Sequence, residues 1–175
     1  MSKKIAIISD THDNSLAVVW IIEYLNEHNI SMAFHAGDII NPGIIGRFAN
    51  YYNGNLHFVF GNNDGETARL SALADNNESI TCHRQELRLE HDGKRIFMNH
   101  YSSISESMAK SGEFDLTIGG HDHTYRVVQH DVCYFVNPGC TLTKDKWLGD
   151  DEDSQSSFVV FDLETMKHER VIVPS

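Results

Sequence analysis

Seven residues of this chain carry metal-ligand side chains and share one setting. Asp10 and His12 stand one residue apart after the apolar run "IAIIS". Asp38 follows "MAFHAG", Asn62 follows "LHFVFG", His100 follows "RIFMN", and His121 and His123 follow "LTIGG". Carboxylate oxygen and imidazole nitrogen together suit manganese, iron, zinc or nickel. Two such ions held roughly 3.5–4 Å apart clamp both the attacking and the leaving oxygen of a displacement at phosphorus, and a water between them loses its proton near neutral pH. Carboxylates would supply charge and a bridge, histidines affinity, and the Asn62 carbonyl a ligand without further negative charge.

The positioning elements can be read from the same runs. Residues 4–9 ("KIAIIS") predict a buried strand and 15–28 a helix, with Asn14 or Ser15 as its N-cap. A second strand is predicted at 31–36, a helix at 41–52 opened by Asn41 and Pro42, a third strand at 56–60 and a helix at 66–75. Strands alternating with helices at this spacing imply a parallel sheet with crossovers. The second half is richer in strand. Residues 86–90 and 94–98 flank a hairpin turn at His91-Asp92-Gly93, a short helix covers 104–110, and strands follow at 115–118, 125–129, 132–136, 157–162 and 168–173. Residues 149–157 read as an acidic polar loop. Sites in open α/β sheets lie outside the carboxyl ends of strands. The seven residues would therefore face one crevice, beside glycines that let the backbone turn.

With 175 residues, 41% hydrophobic and 22% charged, the chain has ordinary globular composition, and a single domain over 1–175 is expected. The apolar stretch 16–22 is too short to cross a bilayer, and the N-terminus predicts no signal peptide. Three widely spaced cysteines suggest neither a disulfide framework nor a thiolate zinc site, which points to the cytoplasm. A net charge of −11 argues against an extended nucleic-acid or anionic-membrane surface. It does not exclude a phosphate substrate, because bound cations invert the local field.

Asp10-x-His12, Gly37-Asp38, Gly61-Asn62-x-Asp64, His100 and Gly120-His121-x-His123 occur in an order that resembles the calcineurin-like metallophosphoesterases. Within them the chain is similar to the small YfcE/MJ0936-type phosphodiesterases, which share its Asn137-Pro138-Gly139 motif. The resemblance implies a four-layer α/β/β/α sandwich with a dinuclear metal site at the carboxyl ends of the strands. It implies that Asp10, His12 and His123 hold one divalent ion, that Asn62, His100 and His121 hold the other, and that Asp38 bridges them. Mn2+ is the expected metal, with Ni2+, Zn2+, Fe or Mg2+ as alternatives, and the expected substrate is a small phosphodiester or nucleotide-type molecule. A homo-oligomer is left open. The competing reading is a protein-binding scaffold that retains the fold, as in the retromer subunit related to this family; the complete ligand set argues against it.

Three positions depart from the family pattern. Asn63 stands where many members carry a histidine at the leaving group, so the catalytic set reduces to His100 and Asn63, and an amide cannot act as a general acid near neutral pH. Tyr101 replaces a common glycine, where its ring would either stack on substrate or pack. Asp122, between the two histidines, would either bond a ligand histidine or face solvent. Asp64 is expected to orient the loop that carries Asn62. His35 is read as a hydrogen-bonded core residue, and Asp13 and Asn14 as residues that shape the turn. His28, His57, His83, His91, His130 and His168 are expected to be surface or structural.

Overall fold

The computed structural model describes residues 3–142 and 155–174. Two sheets lie face to face. The first has the order β11-β10-β1-β2-β3-β4, in which β1 (Lys4–Ile8), β2 (Met32–His35), β3 (Asn55–Phe58) and β4 (Ile80–Cys82) run parallel. The strands β10 (Ser157–Asp162) and β11 (Lys167–Ile172) extend that sheet antiparallel. The second sheet has the order β5-β6-β7-β9-β8, built from β5 (Glu86–His91), β6 (Lys94–Tyr101), β7 (Leu116–Gly120), β8 (Arg126–His130) and β9 (Cys133–Asn137). Within it β6, β7 and β9 are mutually parallel.

The layering follows from side-chain alternation along the strands. On β1, Ala6 and Ile8 face one way, into a core shared with α1 (Ser15–Glu27), α2 (Pro42–Tyr51) and α3 (Thr67–Asp75). Ile5 and Ile7 face the other way, against Ile96, Met98, Leu116, Ile118 and Val136 of the second sheet. Phe97 and Phe135 leave that sheet on its far side and pack on Ala109 of α4 (Ser102–Lys110). The result is helices, sheet, sheet and helix, the expected four-layer sandwich.

Local chemistry sets the element ends. Asn14 caps α1 by accepting from Ala17 N at 3.1 Å, and Asn41 caps α2 by accepting from Gly43 N at 2.7 Å beside Pro42. Such caps are worth about 1 kcal/mol each. Three expectations shift. The strand β4 was not anticipated, because three residues are too few to show a period. The hairpin turn contracts to Asp92-Gly93, both with positive φ, so His91 belongs to β5. The strand β6 continues to Tyr101 and α4 starts at Ser102, because the β6–β7 register shifts between Met98 and Tyr101. The acidic loop expected at 149–157 falls, over 149–154, outside the described residues.

Candidate metal centre

The sequence-predicted residues converge at the carboxyl ends of parallel strands from both sheets. Asp10 and His12 follow β1, Asp38 follows β2 and Asn62 follows β3; His100 lies near the end of β6, and His121 and His123 follow β7. The register shift in β6 places an irregularity beside His100, where a bulge re-aims a side chain.

One ligand atom from each of Asp10, His12, Asp38 and His123 lies within 4.8 Å of the others. The two imidazoles point their Nε2 atoms at each other across 3.1 Å, about the separation of two nitrogens bound to one ion. Asp10 is fully buried. Its Oδ2 accepts from Ser9 Oγ at 2.5 Å and from His121 N at 3.0 Å. Its Oδ1 accepts no hydrogen bond, yet faces His123 Nε2 at 3.3 Å and His12 Nε2 at 3.7 Å. A buried carboxylate oxygen left in this state is costly unless a cation lies against it. Burial alone would push the Asp10 carboxyl up, but His12, His123, His100 and Ser9 together hold it well below the ordinary carboxylate range. The same contact with Asp10 raises His123 above the ordinary histidine value, against its partial burial.

A second cluster lies around the other oxygen of Asp38. Buried His100 donates from Nδ1 to the Ala36 carbonyl at 2.8 Å. In the neutral ring this leaves Nε2 as a lone pair, facing Asn62 Oδ1 at 3.0 Å and Asp38 Oδ1 at 3.5 Å. Three acceptors directed at one another also require a positive charge between them. Asp38 Oδ2 meanwhile faces His12 Nε2 at 3.6 Å, so its two oxygens address the two clusters separately. His121 packs edge-on against His100, ring centroids 5.2 Å apart, and lines the same cleft without joining the four-residue group.

The backbone is bent to achieve this. Asp10, His12, Asp38, His121 and His123 all have positive φ, between 40° and 73°. Asp and His tolerate this region better than most residues, but each still costs energy. Two of the three motif glycines serve a purpose other than the one expected. Gly37 alone among Gly37, Gly61 and Gly120 has positive φ, at 98°. A Cβ on Gly61 would land on Asp38 Oδ1, and one on Gly120 would land on Ser9 Oγ and within 2.6 Å of Asp10 Oδ2. These two are glycines because the carboxylates lie against their backbone.

Residues behind the cluster tie its loops together. Asp64 accepts from four amides, those of Asp38 (3.0 Å), Ile39 (2.8 Å), Ile40 (2.6 Å) and Gly61 (2.7 Å). It thus clamps the Asp38 loop to the Asn62 loop, a wider role than the one expected. Burial raises its pKa, and the amides of Gly61, Ile40 and Ile39 offset this in part. His35 is the core histidine anticipated. It is fully buried, with Nδ1 accepting from Gly37 N at 3.2 Å and Nε2 donating to Thr11 Oγ1 at 3.1 Å, so it links the loops that carry His12 and Asp38. Asn137 donates to the Gly120 carbonyl, Ser102 Oγ and Asp122 Oδ1, which fixes the His121–His123 turn.

The remaining predicted residues fall in different places. Asn63 meets Asp38 twice, N to Oδ1 at 2.9 Å and Nδ2 to Oδ2 at 2.7 Å, and lines the cleft. Tyr101 is 39% exposed and packs its ring on His121 at 4.8 Å, outside the cleft lining. Asp122 binds Arg126, Thr124 N and Asn137 and makes no hydrogen bond to a candidate ligand histidine. His57 and His83, expected to be surface or structural, face each other at 2.9 Å away from the cleft. The cleft itself measures about 470 Å³, and two apolar residues that sequence reasoning passed over, Ile40 and Leu142, complete its lining.

Stacked sheets whose strand ends direct carboxylates and imidazoles into one cleft define a metallophosphoesterase. Residues 4–166 match the calcineurin-like phosphoesterase superfamily domain, and the chain belongs to that family of phosphoester hydrolases. It is 35% identical over 139 residues to "Phosphodiesterase MJ0936" of Methanocaldococcus jannaschii, covering 78% of this chain and 82% of that protein. A solved structure described as a novel archaeal phosphodiesterase superposes with a TM-score of 0.84 at 30% identity, covering 97% of this chain and 99% of the other. Vacuolar protein sorting 29 from Cryptosporidium parvum superposes at 0.66 with 15% identity, covering 98% and 96%, and so shares the fold.

Proposed function

We propose that the chain is a phosphodiesterase that works with two divalent ions, manganese foremost, with nickel, zinc, iron or magnesium as alternatives. Asp10, His12 and His123 would hold one ion, Asn62, His100 and His121 the other, and Asp38 would bridge them. The observation that carries this reading is the Asp38 carboxylate, one oxygen toward His12 at 3.6 Å and the other toward His100 at 3.5 Å. When bound, the ions supply an acidified water as nucleophile and neutralise charge on the phosphoryl oxygens.

The chain's own residues then prepare and position. His100 is held in one tautomer by Ala36 O, which presents its Nε2 to the cleft. Asn63 orients Asp38 through two hydrogen bonds and lines the space where a phosphoryl group would lie. Because Asn63 cannot give up a proton, departure relies on the leaving oxygen being stable as an anion. The likeness to a named phosphodiesterase favours a small diester as substrate. Three free cysteines suit a reducing cytoplasm, and no described helix is long and apolar enough to cross a membrane. The scaffold reading gains nothing from the sorting protein, whose likeness at 15% identity concerns the fold.

The test is hydrolysis of bis(p-nitrophenyl) phosphate by metal-stripped protein, with and without added Mn2+, beside Asp38→Ala. Manganese-dependent turnover that the substitution abolishes is expected. Absence of turnover by the manganese-loaded protein would overturn the reading.

A further inference from the structure

Ile40 sits in the left-handed region at φ 67°, the only β-branched residue to do so among the described residues. For Asp, Asn and His that region is an accessible minority state, but for a β-branched side chain it is a true outlier. Backbone needs do not call for isoleucine. The amide of residue 40 donates to Asp64 Oδ1, and glycine would make the same bond without strain. Core packing does not call for it either. Its neighbour Ile39 is fully buried in the helix-side core, while Ile40 belongs to none of the three apolar clusters.

Ile40 lines the cleft instead, and so does Leu142, which is 7% exposed and likewise outside those clusters. The other lining residues are the polar ones of the metal centre and Asn63. An inorganic phosphate or a small ionic ester gains nothing from an apolar wall. A cleft of about 470 Å³ is of ligand size and leaves room beside a phosphoryl group. Strain retained at a site, by a residue that serves neither fold nor metal, points to contact with a ligand.

We infer that Ile40 and Leu142 form an apolar subsite that selects phosphodiesters bearing a bulky apolar or ring-containing ester group. This rests on the phosphodiesterase reading for its chemistry, but binding alone reads it out. Manganese-loaded protein is titrated calorimetrically with diphenyl phosphate and with dimethyl phosphate. The native chain is expected to prefer the diphenyl ester by about tenfold or more. Ile40→Gly, which removes the side chain where the backbone favours glycine, abolishes the preference without lowering the melting temperature, and Leu142→Ala weakens it. Equal affinity for both esters in the native chain, no binding of either, or an Ile40→Gly variant that keeps the preference overturns the inference. A native chain that prefers diphenyl phosphate yet turns over no diester retains the subsite and loses the phosphodiesterase reading, so the two fail separately.

Discussion

The side-chain oxygen of Asn62 lies 3.0 Å from Nε2 of His100, whose Nδ1 is already committed to the Ala36 carbonyl. With the ring neutral, two acceptors are held face to face, and the same holds between Asp10 Oδ1 and the Nε2 of His123 if that nitrogen carries no proton. A cation in each place removes both conflicts, and the two places lie on opposite oxygens of Asp38.

Removing one histidine from each side separates the two places. His100→Ala and His12→Ala are each expected to reduce bound manganese from two ions to one, counted by elemental analysis after gel filtration. Hydrolysis should fall by at least about a hundredfold in either variant, since even residues behind a metal ligand are worth 10–100-fold. Retention of two ions in His100→Ala would show that Asn62, His121 and Asp38 do not depend on it.

Much of this site was legible because the candidate ligands follow strands, and strands announce themselves by apolar runs. Asp10, His12, Asp38, Asn62, His100 and the His121–His123 pair all line up after such runs, and the structure gathers them. What the sequence hid is what depends on tertiary approach. Gly61 and Gly120 read as turn residues, whereas the contact that demands them is with carboxylates distant in the chain. Asp64 read as a local loop anchor, while three of its four amide partners lie on the preceding ligand loop. Ile40 read as nothing at all, because a backbone outlier leaves no mark in residue type. Asp122, open between bonding a ligand histidine and facing solvent, takes the second course: it is exposed, with Arg126 and Asn137 as partners.

Asn63 offers a gain-of-function experiment. It reaches Asp38 and lines the cleft, but it has no proton to give a leaving oxygen. Asn63→His should therefore accelerate esters with poor, alkoxide-like leaving groups, by about a hundredfold if the imidazole is aligned, and p-nitrophenyl esters much less. The pH–rate profile on the poor substrate should acquire a falling limb above neutral pH as the new imidazole loses its proton. Equal acceleration of both substrate kinds, or an unchanged profile, would mean that the side chain at 63 does not reach the departing oxygen.

The paired histidines away from the site make acid stability measurable residue by residue. Burial pushes His57 down to about 4, with the His83 and His91 charges adding to the effect, and burial lowers His83 as well. His57 faces His83 at 2.9 Å and stacks on Phe34. The unfolded chain protonates His57 near the ordinary histidine value, but the folded chain does not until about pH 4. Between those values the unfolded state binds more protons, so stability is full above about pH 6.5 and is lost as pH falls toward 4. His35, also pushed down to about 4 by burial, acts in the same direction. The melting temperature of metal-free protein should therefore drop by a few degrees between pH 7 and pH 5. His57→Gln, which keeps a polar partner for His83, should follow a flatter curve over that window, with the remaining slope carried by His35 and His83. Parallel curves for the two proteins would mean that His57 takes up its proton as readily folded as unfolded, and that its burial imposes no penalty on the charged ring.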